Sequence, residues 1–175
     1  MHVKNTLTEY GLISKLLHWI SAILLLVQIP LGFYLVDLDF GLERINIESI
    51  HVIIGLSIFY LVILRLLTKI INPTPKLNPS IFKGQKFLAK LNHILLYVTI
   101  LSITISGILK KLFNGETLVI FFKEFKTQDN FELAELFYDI HVFSNYFIIA
   151  LITIHIMAVV MHKFFFNDNL IKKIL

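Results

Sequence analysis

Six of the seven histidines lie within or at the edges of long stretches that contain no Asp, Glu, Lys or Arg. Imidazole titrates near neutral pH and binds metals through either ring nitrogen. An ionisable side chain inside a membrane-spanning segment is a functional candidate by default. The structural elements predicted from the rest of the sequence must therefore position these six histidines. The candidates are His18, His51, His93, His141, His155 and His162.

The charge-free stretches are residues 16–36, 49–64, 91–109 and 140–162. A helix of about 20 apolar residues, in a range of roughly 17–25, crosses the hydrocarbon core of a bilayer. The second stretch reaches this length if its helix continues past Arg65, whose long side chain can carry its charge to the interface. Because the apolar runs are continuous rather than alternating, helices are favoured over barrel strands. We predict an all-α fold, a four-helix transmembrane bundle with helices at about residues 8–36, 45–70, 86–110 and 137–165.

The composition agrees with a membrane protein and excludes several kinds of site. Of the 175 residues, 57% are hydrophobic and 16% are charged, against about 25% charged residues in soluble domains. The chain has no Cys, which excludes disulfides, thiolate catalysis, cysteine-bound zinc and iron–sulfur clusters. The net charge of +4 reflects membrane topology in so apolar a chain, and we expect no nucleic-acid partner.

The basic residues are divided unequally between the two sides of the predicted membrane. The N-terminus, the 65–90 segment and the C-terminus hold 11 of the 16 Lys and Arg residues and two of the 12 acidic residues. The other two loops hold five basic and ten acidic residues. Since Lys and Arg favour the cytoplasmic side, we predict that both termini are cytoplasmic. Residues 110–139 then form the large outer loop, and three prolines make residues 72–80 an extended inner loop.

The histidines fall at two depths. His155 follows His141 by fourteen residues, which is roughly 21 Å along a helix and about 40° short of four full turns. Both side chains therefore project from one face of the fourth helix. The alternating helix directions place His51 at the outer depth and His18 at the inner depth. The predicted pairs are His51 with His141, and His18 with His155.

Facing histidines in the core of a helix bundle are a common way to hold a cofactor. Zinc or copper requires three or four converging ligands, whereas each pair offers two. Two imidazoles on opposite sides of one iron hold an electron-transfer haem. Any one of these histidines is equally consistent with a hydrogen-bonded or interfacial residue, but the pattern favours ligation. We predict two haem b groups with four metal ligands, His18, His51, His141 and His155.

Other residues fit this arrangement. Arg65 follows His51 by fourteen residues, so it would meet a propionate of the inner haem or serve as an interfacial arginine. Gly55 would admit a porphyrin edge or allow close helix packing. His93 and His162, at the inner ends of the third and fourth helices, would bond a propionate or a quinone oxygen and relay protons, or contact lipid headgroups.

The order of these residues resembles the bacterial cytochrome b-561 family over nearly the whole chain. The resemblance is carried by His-Trp at 18–19, Ile-His-Val at 50–52 before Gly55 and Arg65, Asn-Pro-Thr-Pro at 72–75, His93, Tyr97, Ile-His-Val at 140–142, His155, His162 and Asp-Asn at 168–169. It implies a four-helix membrane protein with two b-type haems, ligated by the same two pairs, that passes electrons to ubiquinone. For the small stand-alone members, it also implies that electrons come from superoxide at the outer face.

We therefore expect residues 1–175 to form one di-haem membrane cytochrome b domain, a multi-pass oxidoreductase of the bacterial inner membrane. Its partners would be the lipid bilayer, superoxide and ubiquinone, and no catalytic side chain is assigned. Because acidic outer loops oppose an anion such as superoxide, the alternative is a haem-b anchor subunit that docks a separate dehydrogenase or hydrogenase. A non-redox membrane protein with structural histidines is a third possibility.

Overall fold

The chain folds into four long helices and a short hairpin, as seen in a computed structural model that describes residues 2–75, 83–165, 172 and 174. Every helix is long and apolar enough to cross a membrane, so the predicted four-helix transmembrane bundle is confirmed. The two strands depart from a wholly helical fold. The elements are α1 (Leu12–Asp37), α2 (Leu42–Ile71), α3 (Gln85–Phe113), β1 (Leu118–Ile120), β2 (Lys123–Phe125) and α4 (Phe131–Phe165).

The helices pack as two pairs, α1 with α2 and α3 with α4, and the pairs also meet through α2 and α3. The shared core is formed by Ile58 and Val62 of α2, Ile100 of α3, and Ile148 and Leu151 of α4. Many other large apolar side chains lie on the outside of the bundle. This distribution is expected for helices surrounded by lipid. The polar groups that lie between the helices are therefore candidates for a functional site.

Helix α1 begins at Leu12, later than the predicted residue 8, because the preceding segment folds over the helix start. Asn5 Oδ1 accepts hydrogen bonds from the Gly11 N–H at 2.9 Å and the Ser14 hydroxyl at 2.8 Å. The Leu12 N–H donates to the carbonyl oxygen of His2 at 2.9 Å. The segment before Leu12 thus provides acceptors for the first amide groups of α1, although the sequence predicted that its last residues belong to the helix.

Helix α4 begins at Phe131, six residues before the predicted start. Asn130 Oδ1 accepts a hydrogen bond from the Leu133 N–H at 3.1 Å, which is a helix N-cap. Glu132 in the first turn further favours a helix start here. The acidic residues between positions 131 and 139, whose charges suggested a loop, therefore belong to the first turns of α4.

Strands β1 and β2 form an antiparallel hairpin in which Leu118 lies opposite Phe125. Phe121 and Phe122 form the turn with φ of 50° and 62°, a left-handed conformation that Asn and Gly usually adopt. The Phe121 N–H donates to the hydroxyl of Tyr60 in α2 at 3.0 Å, and the two rings lie 4.9 Å apart. These contacts hold the hairpin against the bundle.

The predicted extended inner loop is described only in part. Residues 72–75 follow α2 without helical structure. The carbonyl of Pro73 accepts a hydrogen bond from Asn5 Nδ2 at 3.1 Å, which ties this loop to the segment before α1. Residues 76–80 of the predicted loop, and the Asp-Asn pair at 168–169, lie outside the described residues.

Candidate cofactor site

Two histidines on different helices, His51 of α2 and His141 of α4, meet inside the bundle. Their ring centroids lie 6.1 Å apart, and their planes are inclined by 65°. A metal–imidazole bond is about 2 Å long, so one metal ion bound between two rings places their centres on the order of 6 Å apart. The structure thus brings together the outer pair at a separation that suits a shared metal.

The main chain of α3 orients His141. Its Nδ1 lies 2.9 Å from the carbonyl oxygen of Ile103. Because a carbonyl only accepts, Nδ1 carries the proton and Nε2 keeps its lone pair. Metal-binding histidines ordinarily have this arrangement. A Cβ atom at Gly107 would lie 3.1 Å from the same Nδ1, so the glycine provides the space that this imidazole occupies.

His51 packs against α1 in a comparable way. A Cβ atom at Gly32 would lie 3.2 Å from the Cε1 atom of His51. Gln28, one turn earlier in α1, donates from Nε2 to the carbonyl oxygen of His51 at 2.9 Å. In contrast to His141, His51 has a buried Nδ1 with no hydrogen-bond partner among the residues that the structure describes.

The two imidazoles border a cavity of about 370 Å³. Small-molecule and cofactor sites typically have volumes of about 300–1,000 Å³. The lining is largely apolar and includes Leu118 of the hairpin, with Gln28, Thr104 and Asn145 among its polar members. It also contains the charged residues Asp37, Glu48, Lys110 and Lys111. Gly32, Gly55 and Gly107 also line it. A largely apolar cavity with two imidazoles suits a flat, apolar cofactor that is held by its metal.

The cavity also borders an ion-pair cluster at the N-terminal end of α2 and the C-terminal end of α3. Lys111 Nζ lies 2.7 Å from Glu48 Oε1 and 2.5 Å from Glu116 Oε2. Lys110 Nζ lies 4.0 Å from the same Glu48 oxygen. The two lysines nearest the cavity are therefore balanced by carboxylates, which weakens their attraction for an anion.

At the inner level, histidines and an arginine from all four helices form one cluster. Arg65 Nη2 lies 3.1 Å from His18 Nδ1, and the rings of His93 and His155 lie 5.3 Å apart. His93 and His155 also interact electrostatically with His18. The structure gathers the predicted inner ligands with Arg65 and His93, and it adds a direct ring contact between His93 and His155 that depth alone did not predict.

Two tyrosines complete the inner cluster. The Arg65 guanidinium carbon lies 5.5 Å, and Lys69 Nζ 4.8 Å, from the centre of the Tyr97 ring. Tyr10, from the segment before α1, lies near both Tyr97 and Arg65, and burial raises its pKa, with Tyr97 adding to the shift and Arg65 opposing it. Tyr10 therefore remains a neutral hydroxyl near pH 7. The sequence did not predict Tyr10, because only the fold of the N-terminal segment brings it here.

The two remaining candidate histidines differ in exposure. His162 is buried, with 6% of its surface exposed, and its Nε2 contacts Gln85 Nε2 at 2.5 Å. His93 has an exposed side chain at the inner end of α3. The burial of His162 favours a hydrogen-bonding role between α3 and α4 over contact with lipid headgroups.

The donor set suits haem better than a metal held by protein ligands alone. In the parts of the chain that the structure describes, no group of three or more His, Asp or Glu residues is placed to hold one metal ion. Zinc requires three or four such ligands. Haem iron needs only axial ligands from the protein, and the His51–His141 pair offers two, so the residues present fit haem b.

The two helix pairs carry equivalent residues at equivalent positions. In α1, His18 lies fourteen residues and Gln28 four residues before Gly32. In α3, His93 and Ile103 lie at the same distances before Gly107. In α2 and α4, the residue fourteen positions after the outer histidine belongs to the inner cluster. Few residue types recur between the two pairs, so the equivalence lies mainly in the spacings. The equivalent pairs are His18 with His93, Gln28 with Ile103, Gly32 with Gly107, His51 with His141, and Arg65 with His155.

Four membrane-spanning helices around paired histidines are the arrangement expected of a membrane electron-transfer cytochrome. Residues 9–175 match the family model described as prokaryotic cytochrome b561, and the chain belongs to this family. Membership implies that the protein binds haem b.

Two relatives cover nearly the whole chain. The chain is 28% identical over 180 residues to "Cytochrome b561 homolog 2" of Escherichia coli (strain K12), covering 100% of this chain and 95% of the relative. It is 26% identical over 177 residues to "Probable superoxide oxidase CybB" of Yersinia pestis, covering 97% of this chain and 94% of the relative.

Proposed function

We propose that this protein is a di-haem b cytochrome of the bacterial inner membrane that oxidises superoxide at the periplasmic side and reduces ubiquinone. The observation that carries the haem assignment is the His51–His141 pair, with ring centres 6.1 Å apart and the Nδ1 of His141 bonded to Ile103. The donor and acceptor are supported by the family resemblance and by the Yersinia pestis relative named as a probable superoxide oxidase.

His51 and His141 are the proposed ligands of the outer haem, and His18 and His155 those of the inner haem. Arg65 contacts His18 Nδ1, and a guanidinium only donates, so this imidazole carries its proton on Nε2. Ligation through His18 Nε2 therefore requires Arg65 to leave Nδ1. Arg65 is then free to pair with a propionate, which is the role that we assign to it.

Ubiquinone reduction requires protons as well as electrons, and we assign their transfer to the inner histidines. His93 is exposed beside the inner cluster, where it can donate a hydrogen bond to a quinone oxygen. His162, in contact with Gln85, lies closer to the inner end of α4 and can pass protons from the cytoplasm.

Haem b supplies one-electron redox chemistry when it is bound. In the overall reaction, two superoxide anions lose one electron each and leave as dioxygen. One ubiquinone gains these two electrons with two protons and leaves as ubiquinol. The protein would provide imidazole ligands, an apolar cavity and the charged groups around it. No side chain forms a covalent bond to either substrate.

The direction of the reaction follows from the proposed topology. The N-terminus, the 65–90 segment and the C-terminus carry 11 of the 16 Lys and Arg residues. Under the positive-inside rule these segments are cytoplasmic. The cavity beside His51 and His141 then lies toward the periplasm, and the cluster around Arg65 lies toward the cytoplasm.

A haem-b anchor subunit is the second candidate function. It is favoured by the ten acidic and five basic residues of the two predicted outer loops, and by the pairing of Lys111 with Glu48 and Glu116, which neutralises a lysine beside the cavity. An acidic outer side attracts a basic protein surface better than it attracts superoxide. In this function, a separate dehydrogenase or hydrogenase would supply the electrons.

Reduction of the purified protein by superoxide separates the two functions. The protein is mixed with an enzymatic superoxide source and a short-chain ubiquinone, and b-type absorbance and ubiquinol are followed together. We expect haem reduction and ubiquinol formation, both abolished by added superoxide dismutase. Reduction no faster than with dismutase present, or co-purification with a large dehydrogenase subunit, would favour the anchor function. A protein purified without b-type absorbance would exclude both.

A further inference from the structure

We propose that Gln28 positions His51 by accepting a hydrogen bond from His51 Nδ1–H at its side-chain Oε1, directly or through one water. This assignment rests on the proposed binding of a haem between His51 and His141. In the outer site, His51 would then be bonded by a side chain, whereas His141 is bonded by the main-chain carbonyl of Ile103.

Both atoms of the proposed bond are buried and lack a partner among the described residues. Gln28 Oε1 can only accept, and His51 Nδ1 donates whenever Nε2 binds a metal. A buried polar group without a partner destabilises the folded protein. One hydrogen bond, direct or through a bridging water, satisfies both groups.

The Gln28 amide is already fixed beside His51. Its Nε2 donates to the His51 carbonyl oxygen at 2.9 Å, which assigns the nitrogen to that contact and leaves the oxygen as the acceptor. A Cβ atom at residue 55 would lie 3.3 Å from the same Nε2, so Gly55 gives the amide room against α2. Gln28 and His51 line the same cavity.

The equivalent position in the other helix pair has the same task. Gln28 stands four residues before Gly32, as Ile103 stands four residues before Gly107. Each glycine packs on an outer histidine, and the Ile103 carbonyl bonds Nδ1 of His141 at 2.9 Å. The equivalence places the acceptor for His51 at residue 28. The main-chain carbonyl of this residue does not bond His51 Nδ1, which has no partner among the described residues, and the unpaired side-chain Oε1 of Gln28 is the remaining acceptor there.

The test compares Gln28→Met, Gln28→Glu and Ile103→Val in the haem-loaded protein. Methionine keeps the size of glutamine and removes the acceptor. A glutamic acid kept neutral by its apolar surroundings keeps one donor and one acceptor. Ile103→Val is the matched control, because the acceptor at this position is the main chain.

Three readouts separate positioning from folding: haem content per chain, the low-spin electron paramagnetic resonance signals, and the midpoint potential of each haem. We expect Gln28→Met to weaken haem retention at the outer site by about 10- to 100-fold. It should also shift the outer-haem signal and raise its potential, because an imidazole without an acceptor donates less electron density. Gln28→Glu should restore retention and signal, and Ile103→Val should match the unmodified protein.

Unchanged outer-haem signal, potential and retention in Gln28→Met would overturn the role of Gln28 while leaving the proposed function intact. Equal loss of both haems in Gln28→Met, with no recovery in Gln28→Glu, would assign Gln28 to folding and equally overturn it. Absence of any outer haem from the unmodified protein would instead overturn the haem assignment on which the role depends.

Discussion

The outer and inner levels of the bundle solve different problems with the same two helix pairs. At the outer level, His51 and His141 occupy equivalent positions, each packed on a glycine of the neighbouring helix. At the inner level, the equivalent positions have diverged, and Arg65 stands where the other pair has His155. The inner groups contact one another, Arg65 with His18 and His93 with His155.

This contrast indicates how one scaffold supports two tasks. At the outer level, the two imidazoles border a largely apolar cavity, and the lysines beside it are paired with carboxylates. At the inner level, the guanidinium of Arg65 contacts an imidazole directly, further imidazoles are present, and Tyr10 and Tyr97 lie close by. Under the proposed function, these additional groups would pair with propionates and deliver protons to a quinone.

The largest expected effect is the loss of one haem when a ligand is removed. His141→Ala should lower the haem content from two to one per chain, with the outer haem lost, because no other imidazole is in ring contact with His51 among the described residues. His155→Ala should remove the inner haem, whereas His93→Ala should retain both. Pyridine haemochrome analysis and low-spin signals count and distinguish the haems. If His93→Ala also loses the inner haem while His18→Ala keeps it, the contact between His93 and His155 marks the true inner pair.

A smaller effect is expected from filling the space beside an outer ligand. Gly107→Ala places a methyl group 3.1 Å from His141 Nδ1, and such overpacking costs about 1–3 kcal/mol. The outer haem should be lost at a lower temperature, as followed by its absorbance, while the inner haem keeps its transition. Gly41→Ala is the matched control, because a Cβ there meets nothing within 4 Å. Equal destabilisation by both variants would mean that the space at Gly107 is not specific to the site.

The smallest effect concerns the charges near the outer cavity. Glu48→Gln removes the carboxylate shared by Lys110 and Lys111, so the positive charge near the cavity increases. Reduction by superoxide should become about two- to ten-fold faster at low salt, and the gain should shrink as ionic strength rises. Stopped-flow absorbance measures the rate, with Glu132→Gln as a control on α4. A gain that is independent of salt, or equal in the control, would exclude steering by these lysines.

The sequence predicted the features that depend on one helix at a time. Four charge-free windows indicated four membrane helices, and the spacing of His141 and His155 indicated two levels. The sequence could not predict contacts between helices, because neither the lateral order of the helices nor the side-chain rotamers follow from periodicity. The His93–His155 contact, the amide of Gln28 against His51 and the hairpin bonded to Tyr60 are such contacts. Haem ligation by the four histidines stays a prediction.

The main-chain acceptor behind His141 also affects how this site can evolve. A carbonyl at residue 103 persists whatever side chain is present, so no point substitution there can delete the bond to Nδ1. Substitutions at residue 103 should therefore leave the hydrogen bond of His141 in place as long as Gly107 is kept. Variation that retunes the outer site should collect instead on α1, where the proposed partner of the other histidine, Gln28, is a side chain open to replacement.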